Sequence, residues 1–406
     1  MNTDAHASAR NGASVATTMP PEQRVLLCCA GAGSVDASIL RAACGRIADW
    51  ELLLEAADYH GLLPLLAIAM ETACPDVAPP DVARRLRDSY RNYAKRALFF
   101  SSGLLTLLDA LRENGIAAIP LKGPALAELL YADPALRPSS DLDLFVRAAD
   151  VEAALTLLAR QGFSLAPHLA GLPLASLFAL SGEALLQSKT GIAVDLQWAI
   201  APKDYPYAFD PEVLWRGLRP ARLAGREIRN ALSPEALLLF LCVHGAKHRW
   251  SRLMWLGDVA RLTQKTLDWD LVLQLAAETR CERPMALGLL LAHDVLEAAV
   301  PPAVLQRAGA DQVACRQAER AKLHLLRVPS TEPGSLELTA FNAALADGLG
   351  AKARHYAALL RAPTEAELQL IVLPRKLFFL YYPIRAIRIT AKLARRLTHV
   401  FVRKET

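Results

Sequence analysis

From Ala37 to Met70 apolar residues recur at helical spacing, and the segment ADWELLLEAADYHGLLPLLAIAM is interrupted at Gly61 and Pro64, which predicts two helices. Pro75, Pro79 and Pro80 mark a loop. DVARRLRDSYRNYAKRALFFSSGLLTLLDALRENG then predicts one long helix or two stacked ones, ended by Gly115. Beyond Gly115 the pattern shortens. IAAIPL is a short apolar strand, Gly123 a turn, Pro124 the first position of a helix over ALAELLY, and DLDLFV alternates as a half-buried strand does. AADVEAALTLLARQG predicts a helix ending at Gly162, and EALLQSKTGIAVDLQW two strands joined by Lys189-Thr190-Gly191. Helical patterns resume after Ser233-Pro234 and run on through residues 302–366. The expected fold class is therefore α+β: a small mixed sheet of about four strands between N- and C-terminal helical regions. The expected divisions are a disordered segment 1–36, a helical region 37–115, an α/β unit 116–232, a helical domain 233–366 and a basic amphipathic tail 367–406.

Bulk composition narrows the class. With 406 residues, 53% hydrophobic and 21% charged, the chain is a folded protein of more than one compact unit. The first residues lack the apolar stretch of a signal peptide, and no apolar run reaches the roughly 18 residues that a membrane span needs. Seven scattered cysteines without C-x-x-C spacing suggest reduced thiols and a cytoplasmic location. The net charge of +5 is uneven: nine Lys/Arg and no Asp/Glu fall between Arg375 and Lys404, so the rest of the chain is acidic on balance. That argues against nucleic-acid binding by the body. The tail, with Ile384, Ile387, Ala391, Ala394 and Leu397 at helical spacing, either docks on the acidic body or lies on an anionic membrane surface as a peripheral contact.

The chemistry lies in IPLKGPALAELLYADPALRPSSDLDLFV, residues 119–146. Residues two apart on a strand share a face, so Asp141 and Asp143 project together while Leu142 and Leu144 face the core. Carboxylates so placed repel each other unless a cation offsets the charge, and magnesium, with its preference for oxygen, suits them. A plain solvated strand edge is the duller alternative. Asp195 in GIAVDLQW supplies a third carboxylate if its strand lies beside DLDLFV, and three converging carboxylates are the apparatus of two-metal phosphoryl transfer. Lys122-Gly123-Pro124 opens a helix whose N-terminal N–H groups could cradle phosphate.

This order of strand, glycine turn, helix, Asp-x-Asp strand and later single-Asp strand resembles the nucleotidyltransferase superfamily with its DNA polymerase β-type palm. More closely, LKGPALAELLYADPALRPSSDLDLFV, VDLQW and HGAKHRWSRLMWLGDVARL, within residues of about 40–290, resemble a bacterial family labelled uncharacterised nucleotidyltransferase. The resemblance implies transfer of a nucleoside monophosphate from an NTP, ATP in the first instance, to a hydroxyl or phosphate acceptor on a small molecule, protein or RNA end. Pyrophosphate would leave. Asp141, Asp143 and Asp195 would hold two Mg²⁺ ions, with Asp195 also the base, and Lys122 and Gly123 would meet the triphosphate. Two departures stand out. The superfamily's Gly-Ser turn is Lys122-Gly123 here, and the Asp-x-His-Trp of relatives reads Asp195-Leu196-Gln197-Trp198.

Other residues carry two readings each. Arg137 either neutralises the carboxylates or contacts phosphate. Ser139 and Ser140 are turn residues, with Ser140 the candidate phosphate ligand. Lys247, His248 and Arg249 line the cleft opposite the sheet, with Lys247 a candidate nucleotide contact. His244 and His248 share a helix face but lack a third zinc ligand. Trp250, Trp255 and Asp258 fit the core and cap of a helical hairpin. The rival to an enzyme is a palm that has lost catalysis and serves as a binding module.

Overall fold

The computed structural model describes residues 19–402 apart from 34, 171, 173, 175–176, 179–181, 202–204, 206–208, 347, 362–366, 368–369, 372 and 374. Four helices lead: α1 (Pro21–Ala30), α2 (Ala37–Cys44), α3 (Trp50–Tyr59) and α4 (Leu63–Ala73). The segment expected to hold two helices holds α3 and α4, parted at Gly61, and Asp49 caps α3 by accepting a hydrogen bond from the Leu52 amide. The expectation of disorder through residue 36 needs correction. Proline at the first position starts α1, and Val25, Leu26, Cys29 and Ala30 are buried. Residues 1–18 lie outside the described residues.

Helix α5 (Pro80–Glu113) is one continuous helix of 34 residues, about 50 Å long. The sheet follows: β1 (Ala118–Pro120), helix α6 (Gly123–Tyr131), β2 (Leu142–Val146), helix α7 (Val151–Arg160), β3 (Phe163–Leu165), β4 (Glu183–Ser188) and β5 (Ala193–Gln197). Its strand order is β1-β2-β5-β4-β3, with β2 and β5 parallel and every other pair antiparallel. The sheet therefore has five strands where about four were expected. A short helix α8 (Glu212–Trp215) and a separate hairpin, β6 (Arg219–Leu223) and β7 (Arg226–Ala231), complete this part.

The C-terminal helices are α9 (Pro234–Lys247), α10 (Leu253–Leu262), α11 (Trp269–Glu278), α12 (Glu282–Leu296), α13 (Pro302–Gly309), α14 (Gln312–Leu325), α15 (Ser335–Ala344), α16 (Gly348–Arg361) and α17 (Tyr381–Val402). Ser233 caps α9, its hydroxyl accepting from the Ala236 amide. The chain then reverses through Arg249 and Trp250, both left-handed (φ 55° and 53°), and returns the Trp250 indole beneath α9. Gly245 and Gly288 leave room for that ring: a Cβ on either would come within 2.7 Å of it.

Two cores result. Leu142, Leu144 and Val146 of β2, Val194 and Leu196 of β5, and Leu104, Leu107 and Leu111 of α5 pack on one face of the sheet. The other core joins α1–α4 to α9–α14 and takes in Ile119, Leu121 and Phe145 from the sheet. The N- and C-terminal helical regions are thus one body, not two. Helix α1 lies on α10, where the Arg261 guanidinium donates to the Ala30 carbonyl at 2.8 Å. Strand β2 is consequently buried on both faces, not half-buried as its alternation suggests.

The tail docks at its near end. Tyr381 is 1% exposed and belongs to the sheet's core. Its hydroxyl accepts from the Leu373 amide and donates to the Ile371 carbonyl. Arg385 and Arg388 both pair with buried Glu367. Among the described residues no helix is long and apolar enough to cross a membrane.

Candidate active site

Parallel pairing of β2 with β5 sets Asp143 opposite Asp195, and antiparallel pairing sets Glu183 of β4 opposite Gln197. Even-numbered side chains of these strands fill the sheet's core, so the odd-numbered ones, Asp143, Asp195, Gln197 and Glu183, share the opposite face. Asp141 sits one residue before β2. All five line a cavity of about 660 Å³ between the sheet and the helical body. Crowding acts on two of them. Burial, then Glu183 and Asp143, push the Asp195 carboxyl well above the ordinary range. Burial and Asp143 do the same, less strongly, to Asp141.

Asp143 has two donors on one oxygen. Lys122 Nζ lies 2.7 Å from Oδ1, and Gln197 Nε2 lies 3.1 Å from the same atom. Gln197 Nε2 also lies 2.6 Å from Asp195 Oδ2, so this side chain ties the two carboxylates together. Burial works against the Lys122 ammonium, yet Asp143, with Asp141 and Asp195 behind it, holds its pKa above the usual lysine value. Lys122 directly precedes α6. Gly123 has φ +66°, which its missing side chain permits, and a Cβ there would reach 3.6 Å from the Asp141 carbonyl. Beside this turn the Ser139 hydroxyl is buried without a hydrogen-bond partner.

The chain matches the family model of the uncharacterised nucleotidyltransferases over residues 47–297, more than half of its length. It belongs to that family. A solved structure, the antibiotic-resistance factor ANT(2'')-Ia, is similar at 16% identity and a TM-score of 0.31. The match covers 45% of this chain and 92% of that one, a likeness too slight to support any inference. No curated protein matches the chain.

In this nucleotidyltransferase the carboxylates, Lys122, Gly123, Ser140 and Lys247 come together in one cavity. Lys247 reaches Glu183 at 3.4 Å. Arg137 also borders the cavity, but it is committed elsewhere: Nε and Nη2 make three bonds of 2.9–3.0 Å to Asp258, which is wholly buried and also accepts from the Tyr131 hydroxyl. That corrects two expectations. Asp258 is no hairpin cap, and Arg137 is held by it and not by the Asp-x-Asp pair. Ser140 donates to Asp141 at 3.3 Å, while its neighbour Ser139 holds the unpartnered hydroxyl. Arg249 turns away from the cleft to Glu337. Gln197, Glu183 and Trp255 join the cavity unforeseen. For Gln197 and Glu183 the signal was present, since each sits an even number of residues from a carboxylate on its own strand or across the ladder.

A divalent cation meets a mixed reception. Three clustered carboxylates carry the hard oxygen donors and surplus negative charge that suit Mg²⁺, and burial and crowding raise the pKa of two of them, Asp141 and Asp195. Among the described residues, however, no three such side chains stand close enough to hold a metal. The donor chemistry fits, and the Lys122 ammonium sits on an oxygen that a metal would use.

Proposed function

We propose that this chain is a Mg²⁺-dependent nucleotidyltransferase, moving a nucleoside monophosphate from an NTP, ATP first, to a hydroxyl or phosphate acceptor. One observation carries the reading: Asp143 and Asp195 stand in register on adjacent parallel strands, with Asp141 at the strand entrance, beside a glycine turn that opens a helix. In this reading the acceptor oxygen bonds to the α-phosphorus, the bond from that phosphorus to the bridging oxygen breaks, and pyrophosphate leaves with the electron pair. Asp195 takes the acceptor's proton; its raised pKa suits a base. Gln197 holds Asp195 and Asp143 in position. The Gly123 turn, the Ser139 and Ser140 hydroxyls, Lys122 and Lys247 bind the triphosphate. Asp141, Asp143 and Asp195 would hold Mg²⁺, which when bound supplies charge neutralisation to the phosphates.

Calorimetry with Mg²⁺ and ATP, followed by an acceptor screen with labelled NTP, tests the reading. Ser139→Ala should weaken ATP binding without loss of stability, because the hydroxyl it removes has no protein partner. Wild-type protein that binds neither Mg²⁺ nor ATP would favour a second reading, a non-catalytic palm in which Lys122 stands permanently where the cation would be. Its support is the 2.7 Å contact of Lys122 with Asp143. For the tail, peripheral binding to an anionic membrane surface is proposed for its outward side, where Phe379, Tyr382 and Ile387 are 61%, 49% and 68% exposed.

A further inference from the structure

Across the cavity from the carboxylates stands a wall of rings. Phe240, His244 and His248 project from α9 and its end, and Trp255 from α10. Phe240 and His244 are stacked, with centroids 6.0 Å apart. His244 lies 4.8 Å from His248 and 5.2 Å from Trp255, and His248 lies 5.3 Å from Trp255. The two imidazoles and the indole are only half-buried and line the cavity, with Phe240 in the core behind them. Neither imidazole makes a hydrogen bond among the described residues, although each neutral ring offers one donor and one acceptor. Burial, with Lys122 and Lys247 among the neighbouring cations, keeps both rings neutral.

The cavity thus has two unlike walls. The wall at the sheet has an ammonium, a helix N-terminus and an unpartnered buried hydroxyl, which suit an anion. The wall at the helical body has flat aromatic faces and unpaired ring nitrogens, which suit a planar heterocycle with a polar edge. We infer that the His244–His248–Trp255 wall is the seat of the nucleobase of the NTP, stacking it and reading its edge. A nucleotide has one anionic end and one heteroaromatic end, and the cavity's volume is in the range of small-molecule sites.

The inference rests on the proposed nucleotidyl transfer, and the test separates the two. ATP and inorganic tripolyphosphate are titrated into the full chain with Mg²⁺ present. Base–aromatic stacking supports an expectation that Trp255→Leu weakens ATP roughly ten- to a hundredfold and leaves tripolyphosphate unchanged. Trp255→Phe, which keeps a ring, should retain most of the ATP affinity. His248→Leu should lose part of it and provides the readout if Trp255→Leu does not fold. Equal affinity of the wild type for both ligands, or equal weakening of both in the variants, would overturn the base seat while leaving the phosphate site standing. Failure of the wild type to bind either ligand would overturn the transferase reading and the base seat with it.

Discussion

Lys122→Met removes the ammonium from the carboxylate cluster while keeping a side chain of similar length. The ammonium is 2.7 Å from Asp143 Oδ1, with the two side chains 17% and 4% exposed. Removing one partner of a buried ion pair typically costs about 3–5 kcal/mol, because the other charge is left in a poor solvent. Here the cavity admits water to the lysine side, and Gln197 continues to donate to Asp143. The lower end, about 3 kcal/mol, is therefore expected. Mg²⁺ should reverse most of that loss. In the wild type a cation has to displace Lys122 from Oδ1; in the variant it does not, so Mg²⁺ should bind roughly ten- to a hundredfold more tightly, about 1.4–2.8 kcal/mol. At a hundred times its Kd a ligand stabilises the native state by about 2.7 kcal/mol, close to the whole deficit. Urea denaturation with and without Mg²⁺, beside calorimetric Mg²⁺ titration, reads both quantities. A variant as stable as wild type and no tighter for Mg²⁺ would refute the role given to the ammonium. A deficit that Mg²⁺ leaves untouched would refute the metal site.

Asp195→Asn tests the crowding. A carboxyl whose folded pKa is raised contributes stability below its unfolded pKa and loses it as pH rises through the folded value. Metal-free Asp195→Asn should therefore gain on wild type between mildly acidic and neutral pH, and melts in which the gap stays constant with pH would contradict this. Arg137→Met leaves Asp258 with no exposure and without its guanidinium, so a loss of about 3–5 kcal/mol is expected in urea denaturation. Adding Asp258→Leu should restore much of it, and a stable Arg137→Met protein that has merely lost ATP affinity would return Arg137 to the phosphate site. Deleting residues from Arg375 onward removes Tyr381 from the sheet's core and strips Glu367 of Arg385 and Arg388. That truncation should aggregate, whereas Phe379→Ser/Tyr382→Ser/Ile387→Ser should stay folded and lose sedimentation with anionic vesicles at low salt. Wild type that ignores such vesicles sinks the membrane proposal.

Some of this was legible in the chain because local periodicity carries it. Two carboxylates two apart beside an apolar strand point to one face, where their repulsion asks for a compensating partner, so Asp141, Asp143 and Asp195 stood out. The five-stranded sheet was legible except for β3, whose three residues are too few to show alternation. Helix α1 was missed although its signal was there. Val25, Leu26, Cys29 and Ala30 fall on one face behind Pro21, but a polar leader precedes them. What could not be read is pairing at a distance. Arg137 and Asp258 are 121 residues apart, and each alone looks like an ordinary charged residue near a turn or on a helix. The tail left two readings open for the same reason: Arg385 and Arg388 add to a basic count, while Glu367, which accepts both, sits outside the counted stretch.

Burial of β2 on both faces connects the two features of residues 119–146 that looked separate. Had β2 been an exposed strand, Asp143 would be solvated and would need no partner. The helical body closes over it instead, with Phe145 packing against Trp215 at 5.9 Å one pleat away, and Asp143 keeps only 4% of its surface. A carboxylate in that position has to be protonated, paired or metal-bound. The lysine that takes the place of a smaller turn residue is the side chain that pairs it, and Leu121 fixes the approach by donating its amide to the Asp143 carbonyl at 3.1 Å. The Lys-Gly turn and the Asp-x-Asp strand are therefore one electrostatic unit. A substitution at either end should be felt at the other, and a double-mutant cycle between Lys122→Met and Asp143→Asn should give a coupling free energy well above the few tenths of a kcal/mol typical of independent sites.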